Sequence, residues 1–420
     1  MIEWGAHDMN QHDMVFFFLQ IGVMLAFALV FGNLMRRLHQ PAILGELIGG
    51  ILLGPTIFGM FFPDSYEWLF QASTTAVLSR EAVVEIGMLF FLFVAGLEVN
   101  LSFLRKQMVN VAMTSLPSIL VPFCFGVACV LLFPGLWNVQ STSTIPMLAI
   151  FMGVALSISA LPIIARTLMD LRLINADIGV IIMGAATIND LIGWSLFAVI
   201  LSTITSTSML GGNVFFTLAV FLGLFILGLT GGRWAGQRFM DFLRRTMPWP
   251  SSFIGVAMVL VLLASAVFEA IGIHAFFGAF LVGVVFARNT QVRDQAHEVF
   301  YQFTISKFAP LYFVSLGLRA DFISDFNIGL TTLILLIACA GKIGGASIGA
   351  WASGMSSREA LAIGFGMNSR GAMELILASV ALQYGLIHAD VYVALVIMAF
   401  VTSMLSGPMM QKILGIKMID

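Results

Sequence analysis

Charge is what this chain has least of. Only 10% of its 420 residues are Asp, Glu, Lys or Arg, against about 25% in a soluble protein, and 60% are hydrophobic. A soluble fold of this size has too little interior to hide so much apolar surface, so lipid is the solvent for most of the chain. The formal net charge of -2 gives no reason to expect a polyanion partner, nucleic acid included. Cysteine is scarce as well. Cys124, Cys129 and Cys339 lie inside apolar runs without metal spacing or a paired framework, and read as small buried residues. No phosphate-cradling loop runs into Lys and Ser/Thr, which speaks against an ATP-driven pump. No Ser/His or paired-Asp arrangement falls within the apolar segments, so the chain is not read as an enzyme. Its first residues, MIEWGAHDMNQHD, lack the basic stretch of a signal peptide; neither a cleavable leader nor an appended soluble domain is expected.

Long apolar runs are what the sequence has in plenty. A transmembrane helix needs about 20 such residues. Runs of that kind predict thirteen spans near 14–35, 41–61, 82–99, 107–133, 145–168, 176–203, 213–236, 252–270, 274–289, 304–319, 327–351, 358–384 and 390–412. Basic residues test the count. With the N-terminus outside, sixteen of the 20 Lys and Arg fall on the inner side, among them Arg36, Arg37, Arg105, Lys106, Arg244, Arg245, Arg288, Arg293 and Lys417. Only Arg80 and Arg319 fall outside, and Lys342 and Arg370 lie within spans. That asymmetry is the positive-inside pattern, with the C-terminus on the cytoplasmic side.

Two pairs of segments echo each other. Ala42 to Ile51, with Gly45 and Gly50, matches Ala275 to Val284, with Gly278 and Gly283. Leu92 to Asn100, with Gly96, matches Phe313 to Asp321, with Gly317. Both imply an offset of seven helices, so spans 1–6 repeat as 8–13 in opposite orientation, with span 7 as connector. This is the inverted-repeat plan of many secondary transporters. The fifth helix of each half is interrupted. Ser157, Ser159 and Pro162 mark one break, and Gly364 to Gly371, with Asn368, Ser369 and Arg370, marks the other. Irregular backbone at membrane depth is tolerated only inside protein or along a wet cavity, and matched breaks point to an ion site near the midplane.

Ionisable residues inside a span are functional by default. Asp190 lies in the middle of the sixth span, next to Asn189 and one turn after Thr187. Burial disfavours its charged form, so it holds a proton or a metal cation but not both, and that competition is the logic of exchange. Asn189 offers a neutral carbonyl ligand or a hydrogen bond to the broken helices. Lys342, among small residues that allow close helix approach, reads as a counter-charge to the site or as a tie to a helix end. Arg370 and Glu374 are four apart, share a face and can neutralise one another. Glu46 reads as a cavity-rim or interfacial residue. His7, His12, His39, His274, His297 and His388 show no metal spacing.

In this order and on these spans, the motifs resemble the monovalent cation:proton antiporter superfamily, in particular its branch of bacterial sodium/proton and potassium/proton exchangers. The motifs are Gly45-Glu46 with Gly50 to Pro55, Phe93 to Glu98, the Ser157 to Pro162 break, Asn189-Asp190, Lys342 and Met367 to Glu374. The resemblance implies an all-α polytopic fold of inverted repeats with two discontinuous crossing helices, and Asp190 as the ion-binding carboxylate. It implies a dimer or scaffold domain over about 1–106 and 252–326, a mobile core over about 107–203 and 327–412, and a connecting helix over 204–251. It also implies a homodimer in a bacterial inner membrane. Electrogenic members have two acids where this chain has Asn189-Asp190, and electroneutral members have the Asn-Asp pair but an arginine in place of Lys342. With one carboxylate, electroneutral exchange of Na⁺ or K⁺ for H⁺ is the expectation, with Asp190 or Glu374 as the partner of Lys342. No cofactor is expected, the transported ions apart. A cation-coupled organic solute symporter on the same fold and a non-transporting ion-sensing or channel-like relative stand as alternatives.

Overall fold

The computed structural model describes residues 10–38, 40–98, 107–137, 144–174, 176–204, 223, 226–246, 251–271, 274–286 and 300–416. Both chain ends, half of the seventh span, Asn100, the basic residues Arg105, Lys106, Arg288, Arg293 and Lys417, and His7, His39 and His297 lie outside the described residues. The helices are α1 (Gln11–Arg37), α2 (Ala42–Leu53), α3 (Pro63–Phe70), α4 (Thr74–Glu98), α5 (Met108–Leu132), α6 (Ile145–Ser157), α7 (Leu161–Asp170) and α8 (Asp177–Ile204). They continue as α9 (Arg233–Thr246), α10 (Ser251–Ala270), α11 (Ala275–Phe286), α12 (Ala309–Gly317), α13 (Ile328–Ala352), α14 (Ser357–Met367), α15 (Ala372–Gln383) and α16 (Ala389–Leu414). Short π-type turns extend α2 over Pro55–Gly59 and lead into α12 over Thr304–Phe308.

Helices thus occupy every predicted span within the described residues. By length and composition, six of them suffice to cross a membrane: Gln11–Arg37, Ala42–Gly59, Met108–Leu132, Asp177–Phe197, Ile328–Ala352 and Ala389–Leu414. Most of the others are shorter; α4, at 25 residues, is long enough but carries Arg80, Glu81, Glu85 and Glu98. The described part of α11 has 12 residues, about 18 Å at 1.5 Å per residue. Past the predicted end of the seventh span the chain stays helical as α9, whose Arg238 stacks 4.1 Å from the Trp234 ring.

Local signals set the ends. Asn10 and Asp13 form a reciprocal capping box on α1 (2.9 and 3.2 Å), and Arg36 and Arg37 lie in its last turn, where the helix dipole favours cations. Asn327 caps α13 through the Leu330 amide at 3.0 Å. Ser356 and Glu359 box α14. α16 stops at Gly415, whose φ of +69° suits glycine.

The helices group into two compact units, 1–91 with 302–324 and 92–301 with 325–420. In the first, the backbones of α2 and α12 meet at Gly50 and Gly317: a Cβ on Gly50 would strike the Val314 carbonyl, and one on Gly317 the backbone of Gly50 and Ile51. In the second, a Cβ on Gly283 of α11 would lie 2.8 Å from the Gly96 Cα of α4, and one on Gly96 would lie 2.9 Å from the Gly283 Cα. The repeat equates Gly50 with Gly283 and Gly317 with Gly96, so one contact is the image of the other with its partners exchanged. Gly45 and Gly278 behave alike. The first abuts Phe31 and Gly32 on the helix before it, and the second abuts Ala264 and Ser265 on the helix before it. Chance resemblance between apolar helices would not reproduce these pairings.

The second unit carries the broken helices. Pro117 and Pro122 sit inside α5, and the small stripe Gly341, Gly345 and Gly349 of α13 lies against Pro122, Pro117 and the Met113–Thr114 backbone. Small residues four apart let two helix backbones close up, which carries Lys342 into the interior, where it is 0% exposed. An apolar cluster that includes Ile164, Leu168, Ile182, Ala346, Ile363, Met367 and Met410 packs α7 and α14 onto α8, α13 and α16.

Candidate functional site

The site grows out of the two breaks. α6 ends at Ser157, the chain runs extended at Ile158 (ψ 150°) and α7 begins at Leu161, with Pro162 in its first turn. Proline lacks an amide donor and clashes with the preceding turn, so α6 cannot run on through Pro162 and the helix restarts with that proline in its first turn. α14 ends at Met367 and α15 starts at Ala372. The breaks bond to each other: the Ala160 amide donates to the Ser369 carbonyl at 2.9 Å, and the Ser159 hydroxyl to the Met367 carbonyl at 2.9 Å. Both predicted interruptions therefore meet at one point.

The carbonyl end of α6 is met by two cations. Arg370 donates to the carbonyls of Ala155 (3.2 Å) and Leu156 (2.8 Å), and to that of Ala338 on α13 at 3.3 Å. Lys342 donates to the Ser157 carbonyl. Both occupy the negative end of the helix dipole and satisfy carbonyls that a terminating helix leaves open. Arg370 also pairs with Glu374 at 3.2 Å, with exposures of 0% and 1%. Arg370 itself stands in the break and Glu374 in the first turn of α15, so the pair clamps the start of a helix rather than lying along one.

Asn189 is the hub on the other side. Its amide is oriented by its neighbours, since an ammonium must face the oxygen and a carbonyl the nitrogen. In that orientation the nitrogen donates to the Ser115 hydroxyl (2.9 Å) and the Ala185 carbonyl (3.0 Å). The oxygen accepts from the Ser118 hydroxyl (2.9 Å) and from Lys342 Nζ (2.9 Å). The sequence left Lys342 as a counter-charge to the site or a tie to a helix end. It donates to the neutral oxygens of Asn189 and of Ser157, the latter at the end of α6, while Asp190 and Glu374 attract it and Arg370 repels it through the field. A neutral amide oxygen can take the place of a carboxylate here because the ammonium needs acceptors and its charge is balanced nearby.

Asp190 is 6% exposed, on α8 beside Asn189. Among the described residues of this unit, Asp190 and Glu374 are the buried carboxylates. The remaining predicted residues divide. The Thr187 hydroxyl bonds back to the Met183 carbonyl of its own helix at 2.8 Å. Ser157 bonds to the carbonyls of Gly153 (2.6 Å) and Ile119 (3.0 Å). Asn368 Oδ1 and the Ser369 hydroxyl are buried oxygens with no hydrogen-bond partner among the described residues, and hard alkali cations take such oxygens as ligands. No group of three His, Cys, Asp or Glu side chains gathers among the described residues. Glu46, read as a rim residue, is instead buried at 4% exposure in the other unit, its Cγ 3.5 Å from the place a Cβ on Gly32 would take.

Sequence reasoning missed Ser115, Ser118 and Ser403. Ser115 and Ser118 are three apart on α5 and so share a face, with Pro117 between them, a polar pair in an apolar span that could have been noticed. Ser403, which donates to the Arg370 carbonyl, carries no such signal.

Paired helix breaks, fixed cations at a helix end and buried carboxylates in a many-helix membrane chain define an ion-coupled secondary transporter. The chain belongs to the sodium/hydrogen exchanger transmembrane family, whose model matches residues 23–415. It is 30% identical over 415 residues to the Na(+)/H(+) antiporter NhaS4 of Synechocystis, covering 96% of this chain and 98% of that one. It is 32% identical over 407 residues to cation/H(+) antiporter 18 of Arabidopsis thaliana, of which it spans 48%. The fold is similar to that of the sodium proton antiporter MjNhaP1 from Methanocaldococcus jannaschii, with a TM-score of 0.67 and 16% identity, covering 95% of this chain and 96% of that one. The protein is a multi-pass membrane cation/proton antiporter.

Proposed function

We propose that the chain exchanges one Na⁺ or K⁺ for one H⁺ without net charge movement, with Asp190 binding cation and proton in competition. Charge balance carries this reading. Lys342 and Arg370 supply two positive charges, and Asp190 and Glu374 two negative ones, all buried in one unit. Glu374 is committed to Arg370. Neutralising Asp190 with a proton or with a monovalent cation gives the same total, so both loaded states cross with equal charge. Asn189, neutral and tied to Lys342, adds no further titrating site. Asn368 and Ser369 are the oxygens we assign to the cation's shell, and Ser159 and Thr187 steady the backbone around it.

The working cycle we infer is alternating access, in which a core of about 107–203 and 327–412 carries Asp190 between the two sides. A scaffold of about 1–106 and 252–326 pairs two copies into a homodimer. The seating is a bacterial inner membrane with the N-terminus outside. The test is proteoliposomes with a pH dye inside and Na⁺ or K⁺ added outside. Cation-driven proton movement should vanish in Asp190→Ala and should not follow an imposed membrane potential. Equal activity in the variant sinks the assignment of Asp190, and a potential-dependent current sinks the stoichiometry.

A further inference from the structure

The first unit holds a second polar site that ion exchange does not use. Arg80 on α4 is nearly buried, its side chain 10% exposed. It reaches Glu81 at 3.0 Å and Gln20 at 3.5 Å, and Gln20 is itself anchored on the Leu69 carbonyl at 2.8 Å. The Nε of Arg80 has no partner among the described residues. Glu81 also bridges to Arg319 at 3.4 Å, so one carboxylate serves two guanidinium groups and this ion group carries one net positive charge. Arg80 lines a cavity of about 320 Å³ with Tyr66, Phe70, Gln71 and Thr74. A second cavity of about 310 Å³ shares Tyr66 and Gln71 and is lined by Glu67, Asp321 and Ser324. One cavity is thus basic, its neighbour acidic, and a common wall joins them.

The surroundings say what kind of molecule comes here. Phe61, Phe62 and Trp68, next to Tyr66 in sequence, are 65%, 61% and 57% exposed. Aromatic residues exposed at the ends of crossing helices mark the membrane–water boundary; α4 begins just after Trp68 in the chain, and Phe16 near the start of α1 packs on the Trp68 ring at 5.1 Å. A guanidinium at that depth matches a phosphate in charge and geometry.

We propose that the paired cavities bind the head group of a phosphatidylethanolamine-type lipid, its phosphate on Arg80 and its ammonium toward Glu67 and Asp321. A choline head group fills the acidic cavity with methyl groups that cannot donate hydrogen bonds, and a glycerol head group brings no cation. Free phosphate satisfies Arg80 but leaves the acidic cavity and the aromatic rim without a partner.

Native mass spectrometry of the full-length protein, stripped of lipid in detergent and offered ethanolamine, choline and glycerol phospholipids of equal chain length, tests this. Wild type should retain the ethanolamine lipid about tenfold better than the other two, the size of one charged hydrogen bond. Arg80→Gln should lose that retention. Thr74→Trp fills the cavity from an exposed position and leaves the buried partners of Arg80 in place, so it should do the same even if Arg80→Gln fails to fold. Glu67→Gln should keep binding but lose the preference over the glycerol lipid. Equal retention of all three lipids by wild type, undiminished retention in Thr74→Trp, or a thermal shift from inorganic phosphate as large as that from the lipid would each overturn the proposal.

Discussion

Lys342 Nζ lies 2.9 Å from the side-chain oxygen of Asn189, so this lysine, buried within a helix, is held by a neutral amide. The charge of the site then rests on a balance of two cations and two acids. Asn189→Asp would turn that hydrogen bond into an ion pair and give the group a second proton site. The cation still displaces Asp190's proton, while the second proton crosses uncompensated. We expect Asn189→Asp proteoliposomes to generate a current under an imposed potential where wild type gives none. No current in an active variant would refute the link between Asn189 and electroneutrality.

Arg370 holds three carbonyls and Glu374 in the interior. Breaking a buried pair by removing one partner costs about 3–5 kcal/mol, whereas replacing both by apolar groups costs far less. Arg370→Met should therefore lower thermal stability sharply, and Arg370→Met with Glu374→Met should recover part of the loss. Thermal unfolding of the two variants in detergent reads the difference. Equal loss in both would mean that the carbonyl contacts, not the ion pair, dominate.

Much of this was legible in the sequence because lipid removes alternatives. Apolar runs of membrane length must be helices, and Pro162 and the glycines of Gly364 to Gly371 break the two that are interrupted. The repeat was legible too, since Gly50 and Gly317 need bare backbones where helices touch. The partner of Lys342 was not. Sequence supplies charges and spacing along one helix, but the Asn189 amide, Ser115 and Ser118 come together only when α5, α8 and α13 pack. Burial of Glu46 was hidden for a related reason: the space it fills is made by Gly32 on another helix.

Hydrogen bonds to Asn189 should matter in proportion to what they leave unpaired. Ser118 donates to its oxygen, and a net loss of about 1 kcal/mol is typical when such a bond goes. Ser118→Ala should leave proton–cation coupling intact and weaken the apparent cation affinity severalfold, as Asn189 loosens beside Asp190. A dye-based titration of exchange against Na⁺ or K⁺ concentration measures it. An unchanged half-maximal concentration would remove Ser118 from the site.

Asp321 lies between helices, outside the spans. Burial pushes its carboxyl up, but the Ser324 hydroxyl and the amides of Ile323 and Ser324 outweigh this and hold it below the usual carboxylate range. A depressed folded-state pKa contributes stability that is present above the unfolded value of 3.8 and is lost as pH falls through the lower folded value. Asp321→Asn should therefore reduce amide-exchange protection at Ile323 and Ser324 near neutral pH, and the gap from wild type should close below the ordinary Asp range. A gap that stays constant into acid would assign the effect to shape instead of charge.

The two glycine crossings and two uncrowded helix glycines give predictions of opposite sign within one experiment. A Cβ on Gly283 would come within 2.8 Å of the Gly96 Cα, and one on Gly50 would strike the Val314 carbonyl. Backbone cannot yield as a side-chain tip can, so Gly283→Ala and Gly50→Ala should each destabilise by about 1–3 kcal/mol, the usual scale of overpacking. Gly22 and Gly344 have nothing within 4 Å of a built Cβ. There alanine only removes the flexibility of glycine within a helix, worth about 0.5–1 kcal/mol of stabilisation. Thermal unfolding of the four single variants should split them two down and two up. Because Gly50 and Gly283 are images in the repeat, their losses should also match each other more closely than either matches Gly45→Ala, where the clash falls on Phe31 and Gly32 instead. A single crossing sensitive to alanine, with its counterpart indifferent, would show that the repeat no longer bears equal strain in its two halves.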